Sequence, residues 1–301
     1  FLFGYLSGNN NVVKIPKTEF AQVELFLDIF SALRAKGAFV GQQFVRFSRD
    51  DPGLASVIGV ADALLVWGGD ATIEQVRQIT RKPRCIVWEF PDRFSIAVID
   101  VGSVNKLDEV NLKQLASRFF NDTLLVNQNA CSSPKLIAWL GDPGNSHPVI
   151  SRFWKAFLLV AREREFELGP VERVSRSVKV MEYCMTKDCN QVGQVSIGSL
   201  IERIQIDSSG KDWMEHLGSN GLFYEINVKS LSELTHVACN GKLQTVGYFG
   251  IASTDLLNLV LEKRVGSGVD KIVPIGSTLD YSIQWDGVNS LERLSREIYC
   301  I

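Results

Sequence analysis

The order of its periodicities constrains this chain more than any single residue does: short apolar runs that read as strands are each followed by a stretch with helical spacing. Residues 11–15 form the first run. Val23, Phe26, Leu27, Ile29, Phe30 and Leu33 then fall on one face of a helix, with Gly37 near its C-terminal cap. Residues 39–47 alternate as a second strand, and Asp50-Asp51-Pro52-Gly53 breaks the chain before a short helix over 54–59. Ala63-Leu64-Leu65-Val66-Trp67 is a third run; it ends in Gly68-Gly69-Asp70, helical spacing follows over 72–80, and residues 85–87 give a fourth run. Strand-then-helix repetition implies an α/β fold with a parallel sheet, whose ligands sit at the carboxyl ends of the strands.

Beyond residue 105 the pattern starts again. A helix is predicted over 107–120, a strand over 123–126, helices over 149–164, 177–183 and 212–217, a strand over 222–228, a helix over 231–239, a strand over 245–250 and a helix over 254–265. A second α/β domain is therefore expected. The 301 residues suit about two domains, and 46% hydrophobic residues bury a sizeable core. Lysine plus arginine number 32 against 34 acidic residues, a net charge of −2 without a basic block, which argues against a nucleic-acid partner. The longest apolar stretch, residues 54–67, is interrupted by Asp62 and falls short of the roughly 20 residues of a membrane span. Six cysteines are too sparse for a disulfide scaffold and no signal segment stands at the front, so a reducing cytoplasm is the expected location. Because Phe1 opens directly on an apolar element with no methionine, the true start is expected upstream.

The segment Asn127-Gln128-Asn129-Ala130-Cys131-Ser132-Ser133-Pro134-Lys135 carries the clearest chemistry. Ser133 suits a helix N-cap, Pro134 the first helical position, 135–140 the first turns and Gly141 their end. Cys131 is then predicted just before a helix N-terminus, where unpaired N–H groups and the dipole stabilise a thiolate and receive an oxyanion. The plain alternative is a small buried apolar residue, against which the polar flanks argue. Lys14 and Lys17 follow the first strand, where Lys14 can reach ribose hydroxyls and Lys17 a 2′-phosphate; as ordinary loop lysines they would do neither. Gly68 and Gly69 permit close approach to a phosphate but also make an ordinary turn, and no G-x-G-x-x-G is present in this stretch. Glu89 ends a strand, where desolvation is expected to raise its pKa towards acid–base use unless it lies at the surface. His147, His216 and His236 are isolated in sequence, so no metal site is expected. Cys184 and Cys189 read as structural, and Phe153, Trp154, Phe157, Leu158 and Val160 as a core stripe.

Several motifs together resemble the LuxC-type acyl-CoA reductases of the aldehyde dehydrogenase superfamily. They are Gly8-Asn9-Asn10-Asn11-Val12-Val13-Lys14, Trp67-Gly68-Gly69-Asp70, the Cys131 segment, Leu243-Gln244-Thr245-Val246-Gly247, Gly268-Val269-Asp270-Lys271-Ile272-Val273-Pro274-Ile275-Gly276 and Trp285-Asp286-Gly287. The resemblance implies an aldehyde dehydrogenase-like fold. A partial Rossmann-type NADP-binding domain over 1–105 would lack its opening, a catalytic thiol domain would cover 106–285 and a tail 286–301. It implies NADPH-dependent reduction of a fatty acyl thioester, from acyl-CoA or an acyl-carrier or acyl-transfer protein, to fatty aldehyde. Cys131 would form the acyl-enzyme, and hydride transfer would give a thiohemiacetal that collapses to aldehyde. By the same resemblance Lys14 meets the adenine-side ribose, Lys17 favours NADPH, Gly68 and Gly69 border the pyrophosphate, and Glu89 matches the water-activating carboxylate of aldehyde-oxidising members. Assembly as a homo-oligomer is implied as well. Two other readings stay open: an aldehyde dehydrogenase working oxidatively with Glu89 as base, and an inactive truncated member.

Overall fold

The computed structural model describes residues 1–48, 51–186, 195–197, 200–207, 212–262 and 267–300. The chain forms two compact units, Phe1–Asp92 with Ser282–Ile301, and Arg93–Tyr281. The boundaries expected at 105 and 285 therefore shift. Residues 93–105 join the second unit because Phe94–Asp100 is a strand of its sheet and runs straight into the helix Val101–Asn105. The C-terminal segment returns to the first unit, where Asn9 Nδ2 donates to Leu294 O at 2.8 Å and Arg293 Nη2 to Val87 O at 3.3 Å.

In the first unit β1 (Val12–Lys14) pairs in parallel with β2 (Gln43–Val45), and β3 (Ala63–Trp67) with β4 (Ile86–Phe90). The helix Ala21–Ala35 follows β1, Pro52–Val60 precedes β3, and Asp70–Arg77 follows it. Pro52 opens its helix where no N–H is missed, and the Asp51 carboxylate accepts from Gly53 N at 2.8 Å. The expected parallel order is present, as two separate strand pairs.

The second unit is built on a seven-stranded sheet of β5 (Phe94–Asp100), β6 (Pro134–Leu140), β7 (Val195–Ile197), β8 (Glu202–Gln205), β9 (Leu222–Val228), β10 (Leu243–Phe249) and β11 (Lys271–Pro274). Its order is β11-β10-β5-β6-β9-β8-β7, parallel throughout except at β7–β8. Both faces of the central strands are buried, which is why they read as continuous apolar runs. Ala97, Ile99, Ile137 and Trp139 pack towards the helices Glu109–Asp122 and Pro143–Glu163, while Ile96, Val98, Leu136 and Ala138 pack with Tyr183, Trp213 and Leu256. Each large side chain buried here, such as Phe153, contributes about 2–3 kcal/mol of transfer free energy.

Four local expectations are corrected. Residues 123–126, predicted as a strand, contain the 3-10 turn Leu124–Val126. The helix predicted over 135–140 is β6; with both faces covered, it has no room for a solvated helical face. Residues 212–217 reduce to the 3-10 turn Asp212–Glu215, and 231–239 to the turn Leu231–Leu234 with the short helix Thr235–Ala238. Cys189 and the end of the helix predicted over 254–265 lie outside the described residues. Among the described residues no helix is long and apolar enough to cross a membrane.

Candidate active site

Cys131 lies in the second unit, half-buried in the loop that leads into β6. The loop begins with two successive left-handed residues, Asn127 (φ 51°) and Gln128 (φ 56°). Such a conformation costs a non-glycine residue roughly 1 kcal/mol and persists only where neighbours enforce it. Here they do. Asn127 O accepts from Asn220 N at 2.8 Å, and Gln128 N donates to Thr123 O at 2.8 Å. The fully buried Gln128 side chain donates from Nε2 to Pro134 O at 2.9 Å and accepts at Oε1 from Gly221 N at 3.2 Å. Ser133 N closes a turn onto Ala130 O at 3.0 Å. Ser95 Oγ on β5 donates to Cys131 O at 2.7 Å and accepts from Thr245 N on β10 at 3.2 Å. The loop is thus tied to β5 and to the lead-in of β9, and through Ser95 to β10.

Because residues 134–140 are strand and not helix, Cys131 does not precede a helix N-terminus, and the dipole expected to favour its thiolate is not there. A different charge stands close by. Lys135, only 7% exposed, donates from Nζ to Gln128 O. Burial pushes its amine down to about 7, and the negative charge of Cys131 pushes it back up.

The other sequence-derived residues lie in the first unit. Lys14 ends β1 and Lys17 follows it; both are exposed, with no side-chain hydrogen bond or ion pair among the described residues. Gly68 and Gly69 leave β3, and Gly69 caps the helix Asp70–Arg77. A Cβ on Gly68 would meet Thr72 at 2.9 Å and one on Gly69 the Asp92 carboxylate at 3.0 Å, so both positions require glycine or a shift of those neighbours. The Asp92 carboxylate already accepts from Asp70 N at 3.2 Å, and Asp70 from Asp92 N at 3.3 Å. An anionic group at this helix end would have to share it with the Asp70 and Asp92 carboxylates. Glu89 does not have the raised pKa expected of it. Arg77 grips its carboxylate from Nε at 2.8 Å and Nη2 at 2.5 Å, and that bidentate hydrogen bond holds the group below the usual carboxylate range.

Sequence reasoning missed Lys135, Ser95 and Asp122. Each is a polar residue inside an apolar stretch: Lys135 within β6, Ser95 within β5, and Asp122 at the end of the helix Glu109–Asp122. That interruption was the available signal. Asp122 is fully buried and accepts from Gly276 N at 2.6 Å and Thr278 N at 3.0 Å, fastening the turn after β11; burial pushes its carboxyl up to about 6. Gly276 in that turn has φ 105°, and a Cβ there would meet Arg118 at 2.9 Å.

The α/β fold with its parallel sheet is the one found in solved aldehyde dehydrogenases. The chain is similar to lactaldehyde dehydrogenase from Escherichia coli, with 13% identity over 88% of this chain and 56% of that one and a TM-score of 0.60. It is also similar to 1-pyrroline-5-carboxylate dehydrogenase from Thermus with bound NAD, with 14% identity over 95% and 59% and a TM-score of 0.60. A bifunctional proline utilization A protein matches at 11% identity over 91% and 28%, with a TM-score of 0.60. At these identities the likeness shows the fold. The chain spans well under two thirds of each of these structures. Among curated proteins none matches it. The family model of the acyl-CoA reductases (LuxC) matches residues 1–161, more than half of the chain, and the chain belongs to that family.

Proposed function

We propose that the protein reduces a fatty acyl thioester, either acyl-CoA or an acyl group held by a carrier or transfer protein, to the fatty aldehyde with NADPH. The observation that carries this reading is the Cys131 loop, a half-buried thiol in a family of acyl-CoA reductases, on backbone held in two left-handed residues by buried hydrogen bonds. In this reading Cys131 Sγ attacks the thioester carbonyl, the carbonyl–sulfur bond of the donor breaks, and a new thioester joins the acyl group to the protein. The tethered loop holds Sγ in one place, which lowers the entropic cost of attack. Lys14 and Lys17 would hold the ribose and 2′-phosphate of NADPH, which when bound supplies hydride to the acyl carbon. Release of aldehyde returns Cys131 as thiolate.

Aldehyde formed from a long-chain acyl-CoA and NADPH, measured by gas chromatography, tests the proposal. Formation of free fatty acid in place of aldehyde would contradict it. A homo-oligomer in the cytoplasm is the proposed working form, and sedimentation velocity distinguishes it from a monomer.

A further inference from the structure

We propose that Arg176 is a positioning residue for Cys131, acting through the turn at Asn220 and Gly221 that holds the two left-handed residues at the head of the thiol loop. This rests on Cys131 being the nucleophile of the proposed reaction. Arg176 makes and breaks no bond in it; its share is to fix where the loop stands.

The starting observation is a guanidinium where the fold asks for an apolar residue. Arg176 is on the buried face of the helix Pro170–Met185, with Val180 and Tyr183, and is 3% exposed. Its counter-charge, Glu202 on β8, is buried as well, with Nε and Oε1 3.5 Å apart. Such a pair gives up hydration that its attraction repays only with further hydrogen bonds, and apolar residues of similar volume often hold a core as well. What sets this pair apart is what the guanidinium grips. Nη1 donates to Leu200 O at 2.7 Å and to Asn220 O at 3.1 Å. Asn220 (φ 60°) and Gly221 (φ 82°) are both left-handed, and Leu222 N donates to Ser219 O at 3.3 Å to close the turn around them. A Cβ on Gly221 would meet Leu200 O at 2.8 Å, so the turn has no room to be anything else. Its two carbonyls are held from the helix and from β8: Arg176 takes Asn220 O, and Glu202 N donates to Gly221 O at 2.9 Å. Its two N–H groups reach the thiol loop: Asn220 N donates to Asn127 O at 2.8 Å and Gly221 N to Gln128 Oε1 at 3.2 Å. Gln128 Nε2 in turn donates to Pro134 O at 2.9 Å, so the side chain that the turn fixes spans the loop on both sides of Cys131. The bonds from Arg176 to Asn220 O, from Gly221 N to Gln128 and from Gln128 to Pro134 O are all buried, where losing a partner is costly because no water replaces it.

A role confined to stability would lower the melting temperature of an Arg176 variant and leave its chemistry alone, whereas a positioning role also slows Cys131. The quantity to measure is the rate at which a long-chain acyl-CoA, without NADPH, adds to Cys131, read by quenched intact-mass measurement over a range of acyl-CoA concentrations. Arg176→Met is expected to cut the rate at saturation roughly tenfold, as misplacing a reacting atom does, with the half-saturating concentration changed by less than about twofold. Because that change strands Glu202, the double variant Arg176→Met with Glu202→Gln repeats the test without a lone buried charge. Arg176→Lys, which keeps a donor for Asn220 O but loses the fork, is expected to recover most of the rate. A folded Met or double variant, checked by its melting curve, that is acylated as fast as the unaltered chain overturns the proposal. If neither folds, hydrogen exchange of the unaltered chain decides: the amides of Asn220 and Gly221 are expected to exchange as slowly as those of β9, and rapid exchange there overturns it. An unaltered chain that acyl-CoA fails to acylate overturns the proposed reaction and this inference with it, a failure distinguishable from that of Arg176 alone.

Discussion

The two units differ in how they hold their candidate residues. In the first, Lys14 and Lys17 stand in solvent with nothing paired to them, and Glu89 is tied by a surface guanidinium. In the second, Cys131 sits on backbone fixed by the buried side chains of Ser95 and Gln128, and Asp122 fastens a second turn by the same means. Under the proposed function the contrast follows the chemistry asked of each region. Exposed cations meet a soluble anionic cofactor from water and can do so loosely, because screening makes each contact small. A nucleophile has to be in one place before the substrate arrives, and only buried hydrogen bonds make displacement expensive.

This difference can be broken or sharpened by substitution. The largest change in stability is expected at Gln128. Gln128→Leu leaves Pro134 O and Gly221 N without their partner, and a loss of about 3 kcal/mol is expected in urea unfolding. A loss below about 1 kcal/mol would mean that the loop is not held as described.

Asp122 comes next, and it shows in pH dependence. Its folded pKa of about 6 lies above the unfolded value near 3.9, so the folded state binds the proton more tightly. Stability from this group is fully present below about pH 4 and is lost as pH rises to about 6, by roughly 2–3 kcal/mol. Unfolding curves of Asp122→Asn are expected to lack that slope, and an unchanged slope would assign it to other groups.

The smallest effect belongs to the first unit. Lys17→Ala is expected to weaken NADPH binding about fivefold, with NADH unchanged, which corresponds to about 1 kcal/mol for one screened contact. Equal weakening of both cofactors in fluorescence titration would remove the 2′-phosphate from Lys17.

Much of the first unit was legible because its strands are separated from helices by Gly, Pro and Asp signals, as at Asp51-Pro52-Gly53 and Gly68-Gly69-Asp70. The region that matters most for chemistry was misread. Ser133-Pro134 obeys the grammar of a helix start, yet the same residues can close a loop before a strand, and the seven residues of β6 are too few for periodicity to decide. Tertiary pairing with β5 and β9 decided it. β5 itself went unassigned because it passes into the helix Val101–Asn105 without an intervening turn. Cys131 was singled out by its polar flanks, but the burial of Lys135 became visible only when 135–140 proved to be a buried strand. Glu89 was placed at a strand end as expected, while its partner Arg77, twelve residues earlier on a helix, had no signature in sequence.

The most direct test is intact-mass measurement of the chain after brief exposure to a long-chain acyl-CoA without NADPH. A single acyl adduct is expected, mapped to Cys131 and missing from a Cys131→Ala variant that melts like the unaltered chain. An adduct that survives in Cys131→Ala, or forms on another cysteine, would contradict the assignment of Cys131 as the nucleophile.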